Sequence, residues 1–143
     1  MGKINLELAK TLIESAEKKA REIQVPMVIS IVDKGGNFVA CHRMDEALLV
    51  SVDIAQNKAW TSVAMKMPTA NLAEAAGVGK SLYGINTTNN GRVVVFGGGI
   101  PLRQNGEIIG AIGVSGGSVK EDIQVAQAGV DSLVNSTLTV NNT

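Results

Sequence analysis

The stretch MVISIVDKGGNFVACHRMD (residues 27–45) sets two short apolar runs on either side of a turn. Residues 27–32 are too short and too rich in Val and Ile for a helix, so they read as a strand. Asp33-Lys34-Gly35-Gly36-Asn37 carries turn chemistry, and residues 38–41 read as the returning strand of an antiparallel hairpin. Upstream, Ala9, Leu12, Ile13, Ala16, Ala20 and Ile23 recur at three-to-four spacing. They predict a helix over 5–23, with Asn5 as N-cap, Glu7 at its positive start and Pro26 enforcing the exit. Downstream, residues 51–66 return to helical composition, Pro68 breaks them, and a short helix is expected over 71–76. Residues 77–91 read as a loop long enough to have a role of its own. RVVVF (92–96) is expected to be a third strand and GGG (97–99) a sharp break. Residues 100–103 and 107–114 pair around Asn105-Gly106, a strong hairpin signal. Ser118 and Glu121 form a capping box for a last helix whose apolar stripe is Ile123, Ala126, Val130, Leu133 and Val134. The tail LTVNNT (138–143) is expected to fray. Hairpin-linked strands between helices predict an α+β fold with a five-stranded antiparallel sheet, since a doubly wound parallel sheet needs strand and helix to alternate.

Composition narrows the function classes. A chain of 143 residues fits one domain spanning 1–143, frayed after about residue 135. Aromatics are 3% of the chain and Gly numbers 16, so the core must come from small and branched side chains packed closely. Thirteen basic residues balance thirteen acidic ones, which lacks the positive excess of a nucleic-acid binder and does little to oppose self-association. The single cysteine, Cys41, excludes an intrachain disulfide and a cysteine-cluster metal site. The start MGKINLELAK lacks the apolar run of a signal peptide, and no stretch approaches the ~20 apolar residues of a membrane span. A cytoplasmic setting is the expectation.

Chemistry-bearing residues are few. GVGKS (77–81) is half a phosphate loop, but Glu74 stands where the motif needs its first glycine, and a helix precedes it. GAIGVSGGS (110–118) runs from strand through a Gly-rich turn to a capped helix start. That context either captures an anion or simply lets the strand turn tightly under the helix. Cys41 and His42 are adjacent, and neighbours on a strand point to opposite faces, so a thiolate–imidazole dyad is disfavoured. One histidine and one cysteine cannot make a zinc site. A single ligand does suffice for haem iron, or for the cobalt of a corrinoid. CHRMD (41–45) places His42 and Met44 at a strand's end, with Arg43 able to pair with a propionate or carboxylate. The plainer reading is a local Arg43–Asp45 ion pair beside an exposed His42.

Taken in order, VDKGGNFVACHRMDEA (32–47), NKAWTSVA (57–64), FGGGIPL (96–102), IIGAIGVSGGS (108–118) and EDIQVAQAGVDSL (121–133) resemble the GlcG/HbpS family, which includes the C-terminal domain of PduO proteins. The resemblance runs from about Ile4 to Leu133. It implies a profilin-like three-layer fold, five antiparallel strands flanked by helices, and assembly into dimers or larger rings with pockets near subunit boundaries. Some relatives bind haem, and others accompany glycolate oxidation or B12-dependent diol and glycerol breakdown. The cobalamin adenosyltransferase domain of the PduO relatives has no counterpart here. Residue by residue, Arg43, Met44 and Asp45 match the family's RMD-like stretch, Gly98, Gly99, Ile100 and Pro101 its GG-x-P turn, and Gly113, Val114, Ser115 and Gly116 its GVSG turn. These turns and His42 are the expected cofactor-binding set, with His42 as the haem ligand and Met44 or Tyr83 next in line.

Three functions follow as expectations. The first is a small-molecule binding module for haem, a corrinoid or an organic acid. The second is an enzyme on a small carboxylate or aldehyde, with Arg43 orienting the substrate and Asp45 or Lys58 as acid–base candidates. The third is a structural accessory subunit of a metabolic complex.

Overall fold

The computed structural model describes the backbone of residues 2–141 and the side chains of residues 2–134. Helix α1 (Leu6–Glu22) starts where Asn5 Oδ1 accepts the Leu8 N–H at 2.8 Å, and it buries Ala9, Leu12, Ile13, Ala16 and Ala20. Strands β1 (Val28–Asp33) and β2 (Phe38–Arg43) form the first hairpin. Asp33 Oδ1 closes its turn by accepting the N–H groups of Gly35 and Asn37 at 2.9 and 3.0 Å. Helices α2 (Val50–Met65) and α3 (Thr69–Ala75) follow, then a region of turns containing two 3-10 turns, Ile85–Thr87 and Asn89–Gly91. Strands β3 (Gly99–Gln104) and β4 (Glu107–Ser115) form the second hairpin around Asn105 and Gly106, both at positive φ. Helix α4 (Val119–Asn141) opens on the expected capping box: Ser118 N–H donates to Glu121 Oε1 at 2.9 Å and Glu121 N–H to Ser118 Oγ at 3.2 Å. The tail expected to fray from Leu138 is helical as far as Asn141, and residues 142–143 lie outside the described ones.

The sheet has the order β2-β1-β4-β3, antiparallel throughout. Its two faces differ in kind. The row His42–Ile29–Val114 and the row Ala40–Ile31–Ile112–Ile100 face α1 and α4, and Ile29, Ile31, Ile112 and Val114 join Leu12, Ile13, Val125 and Ala126 in the main core. The intervening row, Cys41–Ser30–Gly113–Gly99, faces α2 and is made of small side chains. Helix α2 answers with Ser51, Ala55, Ala59 and Ser62, so the helix backbone comes right onto the sheet. A Cβ on Gly113 would lie 2.6 Å from Ala59 N and closer still to the Ala55 carbonyl. This is how a chain with so few aromatics fills its interior: close backbone approach takes the place of bulk.

Four strands, not five, are present among the described residues. Residues 92–96 have strand composition but join no ladder. Thr61 Oγ1 from α2 accepts the Val94 N–H at 3.0 Å and donates to the Arg92 carbonyl at 3.3 Å, supplying partners that a neighbouring strand would have given. Arg92 itself lies over the Trp60 ring, 4.5 Å from its centroid, with Nε on Asn57 Oδ1 at 3.3 Å. The outer edge of β3 offers little to pair with: Gly99 N–H donates to Thr69 Oγ1 at 2.9 Å, and Pro101 has no N–H.

Candidate functional site

β2 lies at one edge of the sheet, and its C-terminal end projects past α1. A cleft of about 580 Å³ opens there, lined by Glu17, Arg21, Cys41, His42, Arg43, Met44 and Asp45. The expected CHRMD stretch therefore forms one wall, and α1 supplies the other. His42 faces α1 because it shares a row with Ile29, and its Nδ1 meets Glu17 Oε1 at 2.5 Å. Glu17 Oε2 lies 3.6 Å from Arg21 Nη1, one helical turn further on. His42 is 46% exposed while Glu17 is only 18% exposed, so the carboxylate is the inner member of the pair and the imidazole the outer one.

The neighbours of His42 are not all available to a ligand. Met44 packs against the main core, and its sulfur accepts the Met27 N–H at 3.4 Å. Arg43 donates through Nε and Nη2 to the Ala47 carbonyl, at 3.2 and 2.9 Å, instead of pairing with Asp45. That fork stiffens the guanidinium and leaves Nη1 over. Cys41, on the opposite face of β2, is half-buried against Val28 and Ala55, and burial pushes its thiol pKa up. The expected separation of Cys41 from His42 therefore holds, and the thiol lacks the depressed pKa of a nucleophile.

The glycine-rich turns go elsewhere. Lys58, fully buried on α2, sends Nζ to Asp122 Oδ2 at 2.9 Å and to the Val114 carbonyl at 2.8 Å, with the Phe96 ring centroid 4.9 Å away. Gly98, at φ +127°, leaves room for that ammonium: a Cβ there would lie 2.6 Å from Lys58 Nζ. Asp122 Oδ1 accepts the Gly117 N–H at 2.9 Å, and Ser115 Oγ is bonded to Ser51 Oγ at 3.0 Å. Gly116, at φ +153°, is pressed against Met27, and Pro101 is buried in β3. Gly98, Gly99, Pro101, Gly113, Ser115 and Gly116 are absent from the walls of the His42 cleft, and the four glycines among them are tightly packed. Two of the N–H groups that an anion at residues 110–118 would use, those of Gly117 and Ser118, are taken by Asp122 and Glu121. Asp45 lines the cleft but Lys58 does not, so the two acid–base candidates do not come together there. Tyr83 is exposed in the turn region and is likewise no part of the cleft wall.

A family model described as haem degrading protein HbpS-like matches residues 4–131. The chain belongs to this HbpS-like family. It is 46% identical over 128 residues to an uncharacterized 15.0 kDa protein from the dhaT-dhaS intergenic region of Citrobacter freundii, covering 90% of each. It is 44% identical over 122 residues to the corrinoid adenosyltransferase PduO of Salmonella typhimurium, matching 85% of this chain but only 36% of PduO. Among solved structures, a PduOC:haem complex superposes with a TM-score of 0.88 at 41% identity, covering 92% of this chain and 95% of that one. In this HbpS-like chain Gly98 makes room for the Lys58 enclosure and Gly113 for the approach of α2. Among the described residues no group of three or more His, Cys, Asp or Glu could hold a metal ion, and no helix is long and apolar enough to cross a membrane.

Proposed function

We propose that this HbpS-like chain is a haem-binding module in which His42 holds the iron. The observation that carries the proposal is the state of the imidazole: Nδ1 is anchored on Glu17, and Nε2 is uncommitted at the wall of a cleft of about 580 Å³. A histidine that ligates a metal characteristically donates its other ring N–H to a carboxylate, which fixes tautomer and orientation. The cleft volume falls within the ~300–1,000 Å³ range of small-molecule sites. One histidine whose other ring nitrogen rests on a carboxylate is a donor set sufficient for haem iron. Arg43, forked onto the Ala47 carbonyl, shares its row with Val28 and so stands on the sheet face opposite His42. The Met44 sulfur accepts the Met27 N–H, so it would have to give up that bond to reach iron. Bound haem would supply a redox-active iron and a strong visible absorption. The relative seen with haem supports the same reading, and we further propose, from the family resemblance, an accessory role in glycolate or B12-dependent diol or glycerol metabolism.

The test is a haemin titration followed by absorbance, with His42→Ala alongside and hydroxocobalamin as a second probe. A saturable Soret shift that the variant abolishes supports the proposal. A shift that survives the substitution retains haem but removes His42 as its ligand. Saturation by the corrinoid and not by haemin overturns the haem reading.

A further inference from the structure

Resting on the reading of His42 as the iron ligand, we infer that Glu17 is a positioning residue that sets both the tautomer of His42 and the redox balance of an iron bound to it. Among the described residues Glu17 is the only carboxylate bonded to His42, and it reaches from α1 to β2 across 25 residues of sequence. Its two oxygens have separate duties. Oε2 faces Arg21, at 3.6 Å and one turn along the helix, which turns Oε1 toward the imidazole. With Oε1 accepting a hydrogen from His42 Nδ1, the lone pair of the neutral ring lies on Nε2, and His42 lines the cleft. The carboxylate is the more buried partner, and water competes poorly for it.

Two consequences follow from the charge. A carboxylate drawing on the Nδ1 hydrogen makes Nε2 a stronger electron donor, as outer partners of metal-bound histidines do. A stronger donor favours the ferric over the ferrous ion and lowers the reduction potential. The site is therefore biased toward ferric haem. Arg21 tempers this bias by drawing the other oxygen toward its own positive charge.

Two variants separate charge from hydrogen bonding. Glu17→Gln keeps an acceptor oxygen and loses the charge, whereas Glu17→Ala loses both. Position 17 lies on α1 beside solvent, and circular dichroism checks that each variant folds. In the haemin-loaded protein, Glu17→Gln is expected to retain the Soret band and to shift the ferric-to-ferrous preference about tenfold toward ferrous, which is ~59 mV for one electron. An unchanged potential with haem still lost on His42→Ala overturns the inference and leaves the proposed function standing. Nitrogen NMR of His42 without haem gives an independent reading. The wild type is expected to carry its neutral-ring hydrogen on Nδ1 and Glu17→Ala to shift it toward Nε2; equal tautomers in both overturn the inference. A wild type that takes up no haemin overturns the proposed function, and the tautomer measurement then decides the role of Glu17 alone.

Discussion

Lys58 and Asp122 meet with almost no exposure, at 0% and 5%, and their charges are answered by each other, by the Val114 carbonyl and by the Gly117 N–H. Burial holds the Lys58 pKa below its ordinary value and the Asp122 pKa above its own, with each partner's charge offsetting only part of the shift. The signs follow by linkage. Raised Asp122 contributes stability that is complete below the ordinary carboxylate value and lost as pH climbs through its folded value. Lowered Lys58 contributes stability that is complete above the ordinary lysine value and lost as pH falls through its folded value. The two contributions therefore run in opposite directions with pH, one lost on the way up and the other on the way down. Asp122→Ala alone should cost about 3–5 kcal/mol, because it strands a buried ammonium, while Lys58→Met with Asp122→Leu should be neutral or stabilising by up to about 4 kcal/mol. Urea unfolding at several pH values checks this: a double variant as damaged as the single one at pH 7 would contradict it. This pairing spans 64 residues and no local pattern announces it. Glu17 was partly legible, since it falls between Ala16 and Ala20 at the border of the α1 stripe, where a carboxylate is drawn inward. Its partner in β2 was not.

At the level of elements, local chemistry foretold most boundaries. Asn5, the Asp33 turn, Asn105-Gly106 and the Ser118–Glu121 box each act within a few residues, and each element begins or turns where those residues require. Segment 92–96 escaped such reasoning because strand composition says only that a segment suits a pleated surface. Whether it becomes a strand depends on a free ladder, and here Thr61 and Thr69, from two helices, take the polar groups first. Glycine counts hinted at close approach, and Gly98, Gly99, Gly113 and Gly116 do press against their neighbours. The contact of α2 with β4 turns on Gly113, whose neighbours are backbone atoms that cannot swing aside. Gly113→Ala should therefore cost at least the ~1–3 kcal/mol typical of overpacking. Ser118→Ala, which removes only a cap, should cost about 1 kcal/mol. Thermal melts of the two variants should rank in that order.

For the whole molecule, the self-association implied by the family resemblance needs an apolar surface. Leu48, Leu49 and Val50 offer one at the start of α2, at 58%, 75% and 59% exposure. If subunits meet there, Leu49→Asp should lower the sedimentation coefficient at a given concentration, and an identical profile for both proteins would exclude this face. The sheet itself ends in two open edges, β2 and β3, and they are not equivalent. Along β3, Thr69 has taken the Gly99 amide and Pro101 interrupts the row of donors. An incoming strand would find a broken template there, and extension by cross-β stacking is blocked on that side. Pro101 thus leaves the β3 edge without the unbroken row of amides that fibril growth needs, so a strand added to this sheet is expected at the β2 edge that carries His42.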